Sequence, residues 1–181
     1  MGESENIKKP RIVFFGTPDF AVRVLEELVA SDRYDIIGVV TETDKPAGRG
    51  QKVRAPAVKD FAVKKNIPVL QPESLRGLSR LDSAELPQLK SKDPRSEELA
   101  AFLNAHSPID VFIIVAYGKI IPRVLLNFPP HGMVNVHGSL LPRWRGAAPI
   151  HRALFEGDTR TGVCIMKTAY ELDTGPVYLS E

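Results

Sequence analysis

The sequence has a single cysteine, Cys164, so no disulfide can form within the chain. It lies in an apolar stretch, TGVCIM, where a thiol reads as a buried inert side chain rather than a nucleophile. Long apolar runs are also lacking. The longest, residues 109–116 (IDVFIIVA), contains an acid and is strand-sized, far short of the roughly 20 residues that span a bilayer. The opening MGESENIKKP is polar, which argues against a secretory signal, and Asn6 departs from a myristoylation pattern. The four histidines, His106, His131, His137 and His151, show no HxxxH or Cys/His spacing, so no metal is expected. Charge of one sign is not in large excess, and a net charge of +2 does not by itself mark a nucleic-acid binder. The expectation is a bacterial-type cytoplasmic protein without a membrane partner; an organelle matrix fits the same features.

What is present is an alternation of strands and helices within the length of one domain. Residues 11–15 (RIVFF) form an apolar run ending at Gly16, as expected of a strand buried on both faces. Thr17-Pro18 reads as an N-cap followed by proline at the first helical position. The helix that follows lines up Phe20, Ala21, Val24, Leu25, Leu28 and Val29. Further strands are expected over residues 35–41, 67–70, 109–116, 132–137, 161–168 and 175–180, and helices over 58–65, 95–105, a short stretch from Pro122, and 149–155. This order predicts an α/β fold, a Rossmann-like, mostly parallel sheet flanked by helices. Ligands then belong beyond the carboxyl ends of the strands. Residues 77–94 are polar and weakly patterned, and read as a surface insertion with little chemistry. The first turn, FFGTPDF, has only one of the glycines that a dinucleotide site needs, which disfavours nicotinamide or flavin chemistry.

The chemistry concentrates in residues 134–149, VNVHGSLLPRWRGAAP. Asn135 and His137 are two apart on an apolar strand and so leave the same face. A carboxamide can donate to a developing oxyanion, and an imidazole can move a proton near neutral pH. A buried Asn and His bonded to loop backbone would look the same. Downstream, the acids of ELDTG either form a turn or supply a carboxylate that orients the ring. Two basic clusters, Lys45, Arg49, Lys52 and Arg54, and Arg143, Arg145 and Arg152, are suited to phosphates or carboxylates.

The segment NVHGSLLPRWRGAAPIHRALFEGDTRTGVCIM followed by ELDTG closely resembles the methionyl-tRNA formyltransferase family. IVFFGTPDFAV, DKPAGRGQKVRAPAVK, PVLQPESLR and VAYGKIIP look like the same family, so the resemblance covers nearly all of residues 11–175. It implies a formyltransferase N-terminal catalytic domain over residues 11–181, after a polar tail at 1–10. The rest of the catalytic domain and a smaller C-terminal β-barrel domain would lie outside this chain. It further implies 10-formyltetrahydrofolate as cosubstrate, initiator methionyl-tRNA as acceptor, no metal, and a monomer in the full-length form.

By the same resemblance, Asn135, His137 and Asp173 form the catalytic trio. Ser139, Leu140, Leu141 and Pro142 line the folate site, with Ala116, Tyr117 and Gly118 contributing backbone to the pterin pocket. Lys45, Arg49, Lys52 and Arg54 engage tRNA. The implied reaction passes through a tetrahedral intermediate, with Asn135 and protonated His137 on its oxygen while Asp173 holds His137 and helps relay the amine proton. Trp144 is expected to pin its loop. N-x-H, SLLP and LDTG are shared more widely among folate formyltransferases. A relative acting on a sugar-nucleotide amine, glycinamide ribonucleotide or water, or a non-catalytic folate-binding fragment, therefore remains an alternative.

Overall fold

Five apolar segments, too short to shield themselves, align side by side as a parallel sheet and bury both faces. The computed structural model describes residues 8–47, 52–81 and 87–181. In chain order these hold β1 (Arg11–Gly16), α1 (Asp19–Ala30), β2 (Asp35–Val40), β3 (Lys45–Ala47), β4 (Lys52–Arg54), α2 (Ala57–Lys64), β5 (Val69–Leu70), β6 (Leu78–Leu81) and β7 (Gln88–Ser91). They continue with α3 (Pro94–Ala105), β8 (Val111–Val115), α4 (Arg123–Leu126), β9 (Met133–His137), α5 (Pro149–Phe155), β10 (Cys164–Lys167) and β11 (Val177–Ser180). The main sheet runs β11-β10-β9-β8-β1-β2-β5. From β9 to β5 all pairings are parallel, whereas β10 and β11 add antiparallel.

Two cores follow from the alternation of side chains along each strand. Phe14, Val39 and Val115 pack with Ala21 and Leu25 of α1 and Val58 and Ala62 of α2. Val13, Phe15, Val40, Phe112 and Met133 point the other way, toward Leu99 and Leu103 of α3 and Leu125 of α4. Asn135 and His137 share the pleat of Met133 and therefore belong to the α3 side. α1 lies so close to the sheet that a Cβ on Gly16 would come within 2.8 Å of the Ala21 methyl and 3.0 Å of the Val115 carbonyl. Only glycine fits there.

Chain order reverses direction between β1 and β8, the switch point where open α/β sheets usually take ligands. Here a hydrogen bond spans the crevice: the Thr17 hydroxyl donates to the Tyr117 carbonyl at 2.7 Å. Thr17 is thus not the cap of α1. Pro18 occupies the N-cap position and no side chain caps the helix. Asn135 and His137 lie one strand further along, in β9.

Residues 77–94 differ from the expected patternless insertion. They contain the β6–β7 hairpin, which docks on α3 through buried Leu89. The Asn104 side chain bridges Leu89 by accepting from its N–H at 2.8 Å and donating to its carbonyl at 2.7 Å. Residues 43–54, expected as a loop, contain the three-rung β3–β4 hairpin.

Tyr117 packs edge-on against Phe15 with ring centroids 5.6 Å apart, and its buried hydroxyl has no partner among the described residues. Burial, with the Glu42 carboxylate adding, pushes the phenol well above its ordinary range. An unpaired buried hydroxyl is destabilising. Tyr117→Phe is therefore expected to raise the unfolding free energy by about 1 kcal/mol, as measured by denaturant titration; a loss of stability would show that the hydroxyl has a partner.

Candidate active site

β9 delivers Asn135 and His137 to one face of the sheet, and the turn after β10 brings Asp173 to them. The Asn135 Nδ2 donates to Asp173 Oδ1 at 3.3 Å, and His137 Nδ1 lies 3.5 Å from Asp173 Oδ2. The Gly146 backbone N–H donates to the same Oδ2 at 2.7 Å. One carboxylate thus meets an amide and an imidazole from β9 and a main-chain N–H from the loop after it. The His137 and Asp173 side chains are 7 % and 13 % exposed, so water weakens these contacts little.

Glycine makes the Asp173 turn possible. A Cβ on Gly175 would run into the Lys167 carbonyl at the end of β10. Asp173 itself sits in the left-handed region at φ 50°, which aspartate tolerates better than most residues.

The other ring nitrogen of His137, Nε2, lies 3.0 Å from the Trp144 carbonyl. A carbonyl only accepts, so this contact is satisfied when Nε2 carries a hydrogen, and it leaves Nδ1 as the ring nitrogen facing the Asp173 carboxylate. Both ring nitrogens are thus occupied, Nε2 by the Trp144 carbonyl and Nδ1 by the Asp173 carboxylate, whereas Asn135 has an amide hydrogen beyond the one given to Asp173.

The loop carrying Trp144 is strained. Trp144 and Ala148 have φ of 60° and 54°, and Gly146 between them has 87°. Left-handed non-glycine residues cost about 1–3 kcal/mol each, and persist where surrounding contacts hold them. Here the holder is Asp158: it accepts from the Trp144 indole at 2.6 Å and from Arg143 through Nε at 2.8 Å and Nη2 at 2.7 Å. The Arg143 guanidinium also lies over the indole ring, 4.2 Å from its centre. Arg143 is therefore committed within the fold rather than free for a ligand. These hydrogen bonds, those from Arg143 first and from Trp144 second, hold the Asp158 carboxyl at about 2. Neither composition nor spacing had singled out Asp158, an acid that reads as a turn former in EGDTRTG.

The residues expected around a folate fall into distinct environments. Ser139 is fully buried and donates to the Arg143 carbonyl at 2.6 Å, so it closes a turn. Leu140 and Leu141 are half-buried and Pro142 is exposed. Beyond β8, Ala116 and Gly118 are exposed with φ of 45° and 94°, while the Tyr117 side chain is turned into the core. Next to them a cavity of about 480 Å³ is lined by Lys119, Ile120, Pro122 and residues 73–76.

Of the basic hairpin residues, Lys45, Lys52 and Arg54 are exposed, with Lys45 opposite Arg54 and ion-paired to Glu42. Arg49 lies outside the described residues. Among the described residues no cluster of three metal-ligating side chains occurs, and no helix is long and apolar enough to cross a membrane.

Residues 10–181 match the family described as formyl transferase. The chain belongs to that family. A methionyl-tRNA formyltransferase of Idiomarina loihiensis is 47 % identical over 171 residues, which cover 94 % of this chain and 48 % of that protein. The chain thus spans about half the length of this relative. Among solved structures, a phosphoribosylglycinamide formyltransferase from Bacillus halodurans superposes with a TM-score of 0.69 at 21 % identity, covering 94 % of this chain and 78 % of that one. A formyltetrahydrofolate deformylase from Pseudomonas syringae pv. tomato gives 0.69 at 22 % identity, covering 97 % and 51 %. At such identities the likeness concerns the fold, which is the Rossmann-like, mostly parallel sheet of these formyltransferase-family members.

The depressed acidity of Asp158 yields a pH signature. Its folded value lies below the ordinary 3.8, so the stabilisation is present above that value and disappears as pH falls toward about 2. Asp158→Asn should lower the thermal midpoint relative to the parent at neutral pH, with the gap narrowing as pH falls below about 4. A gap of constant size across a pH series of thermal melts would contradict this.

Proposed function

We propose that the protein transfers the formyl group of 10-formyltetrahydrofolate to the amino group of initiator methionyl-tRNA, in translation initiation. The observation that carries this reading is the gathering of Asn135, His137 and Asp173 on one carboxylate. The 47 % identity to a methionyl-tRNA formyltransferase supports the choice of acceptor.

The surroundings suit a flat, partly apolar cosubstrate. Leu140, Leu141 and Pro142 offer apolar surface, and the turn through Ala116 and Gly118 offers exposed backbone. The neighbouring cavity is of the usual small-molecule size and carries Ile120, which at 88 % exposure is an apolar side chain lacking cover. When bound, 10-formyltetrahydrofolate supplies the formyl carbon on its N10.

Asn135 directs its remaining amide hydrogen at the oxygen on which negative charge develops. His137 receives the amine proton at Nδ1 and returns it toward the leaving nitrogen. Asp173 stabilises the imidazolium during that transfer and fixes both partners in place. Acid and base thus belong to the His137–Asp173 pair rather than to either residue alone. The exposed Lys45, Lys52 and Arg54, with Arg49 of the same segment, would meet tRNA phosphates; such contacts fix register and make affinity salt-dependent.

The deciding assay is formylation of charged initiator tRNA with 10-formyltetrahydrofolate, using free methionine as control. Asn135→Ala is expected to lower kcat by about 10²–10³ while the protein stays folded. Activity within tenfold of the parent would remove Asn135 from the mechanism.

Lys52→Ala and Arg54→Ala should each raise KM for methionyl-tRNA and reduce the salt dependence of its binding by about one unit of slope, with KM for folate unchanged. Equal effects on both substrates would argue against a tRNA-facing hairpin.

A further inference from the structure

The proposed reaction needs His137 in one tautomer with Nδ1 toward Asp173, and the structure shows what sets it. The Trp144 carbonyl faces Nε2 at 3.0 Å, but it belongs to a residue in a left-handed conformation within an irregular loop. Such a carbonyl stays aimed only if its residue is held. The Trp144 side chain is held by its N–H to Asp158 at 2.6 Å and by the Arg143 guanidinium stacked on the indole. Arg143 in turn is gripped by the same carboxylate through two parallel N–H donors. Asp158 stands on firm ground: its backbone N–H donates to the Ala153 carbonyl at 2.9 Å, at the end of α5, and Ala153 is buried.

We propose that Asp158 is a positioning residue for His137, fixing the ring through the Trp144 carbonyl. Helix α5 is thereby connected to the imidazole through one carboxylate and one peptide group. Second partners of this kind, which set tautomer and ring orientation without touching substrate, are a known device at metal-bound histidines. Here the carbonyl performs that service for a histidine without a metal. The proposal rests on the functional reading above and extends it by a residue that contacts neither substrate.

The test combines kinetics with the ring nitrogens themselves. In ¹⁵N-labelled protein, long-range proton–nitrogen correlation assigns the His137 ring by comparison with His137→Gln. The parent is expected to show a protonated Nε2. In Asp158→Ala the two ring nitrogens should move toward tautomer-averaged positions, and kcat for methionyl-tRNA formylation should fall about 10–100-fold, with KM for folate within twofold. Asp158→Asn, which keeps an oxygen for the indole N–H, should recover part of both.

Unchanged His137 ring signals in a folded Asp158→Ala protein would overturn the proposal, as would a kcat within twofold of the parent. Should that variant not fold, Trp144→Phe removes a single donor from the same carboxylate; a ring spectrum identical to the parent would then overturn the link. If the parent transfers no formyl group, the functional reading fails. The ring spectra still decide whether Asp158 orients His137.

Discussion

A single carboxylate organises the candidate site. Asp173 accepts from the Asn135 amide and the Gly146 N–H and faces the His137 ring, so strand β9, the loop after it and the turn after β10 meet at one pair of oxygens. In a largely dry setting each of these contacts is stronger than it would be in water, and a missing partner would be correspondingly costly. The arrangement orients a donor and a base together, and a shift of the carboxylate displaces both. Residues 135 and 173 are far apart in sequence, so the geometry depends on the sheet being assembled first.

The antiparallel edge is what makes that meeting possible. Had β10 continued the parallel pattern, a crossover would have carried the chain to the far end of the sheet. Pairing antiparallel instead, with Cys164 opposite His137 and Met166 opposite Asn135, runs β10 back along β9, so that the turn after it can fold over the pleat that carries Asn135 and His137. Gly175 lets that turn press against the Lys167 carbonyl. The switch point between β1 and β8, the usual ligand crevice of such sheets, is meanwhile bridged by the hydrogen bond from the Thr17 hydroxyl to the Tyr117 carbonyl.

Much of this was legible in the residues. The uniform apolarity of RIVFF marked a doubly covered strand, and the two-residue spacing of Asn135 and His137 placed them on one face by alternation alone. The nearness of Asp173 was not readable from local pattern; it came from family resemblance, since no periodicity links a turn to a strand so distant. The β6–β7 hairpin was missed because its strands are largely polar and hold to α3 through Leu89, the Asn104 side chain and a Ser91–Ser96 hydroxyl contact, none of which a local pattern reveals. Thr17 looked like a cap because its hydroxyl could satisfy either the helix or a neighbouring carbonyl, and tertiary contact chose the latter. Asp158 was invisible for the same reason: its meaning lies in an arginine and an indole that the fold brings to it.

Trp144 is the chain's only tryptophan, and its indole stands between Asp158 and Arg143 while its carbonyl meets His137. Indole emission, excited at wavelengths that the four tyrosines do not absorb, therefore originates at one spot beside the proposed reaction centre. A carboxylate at the indole nitrogen and a cation over the ring both act on its excited state. Colour and brightness of the emitted light thus give an optical readout, without any added label, of how that loop is poised.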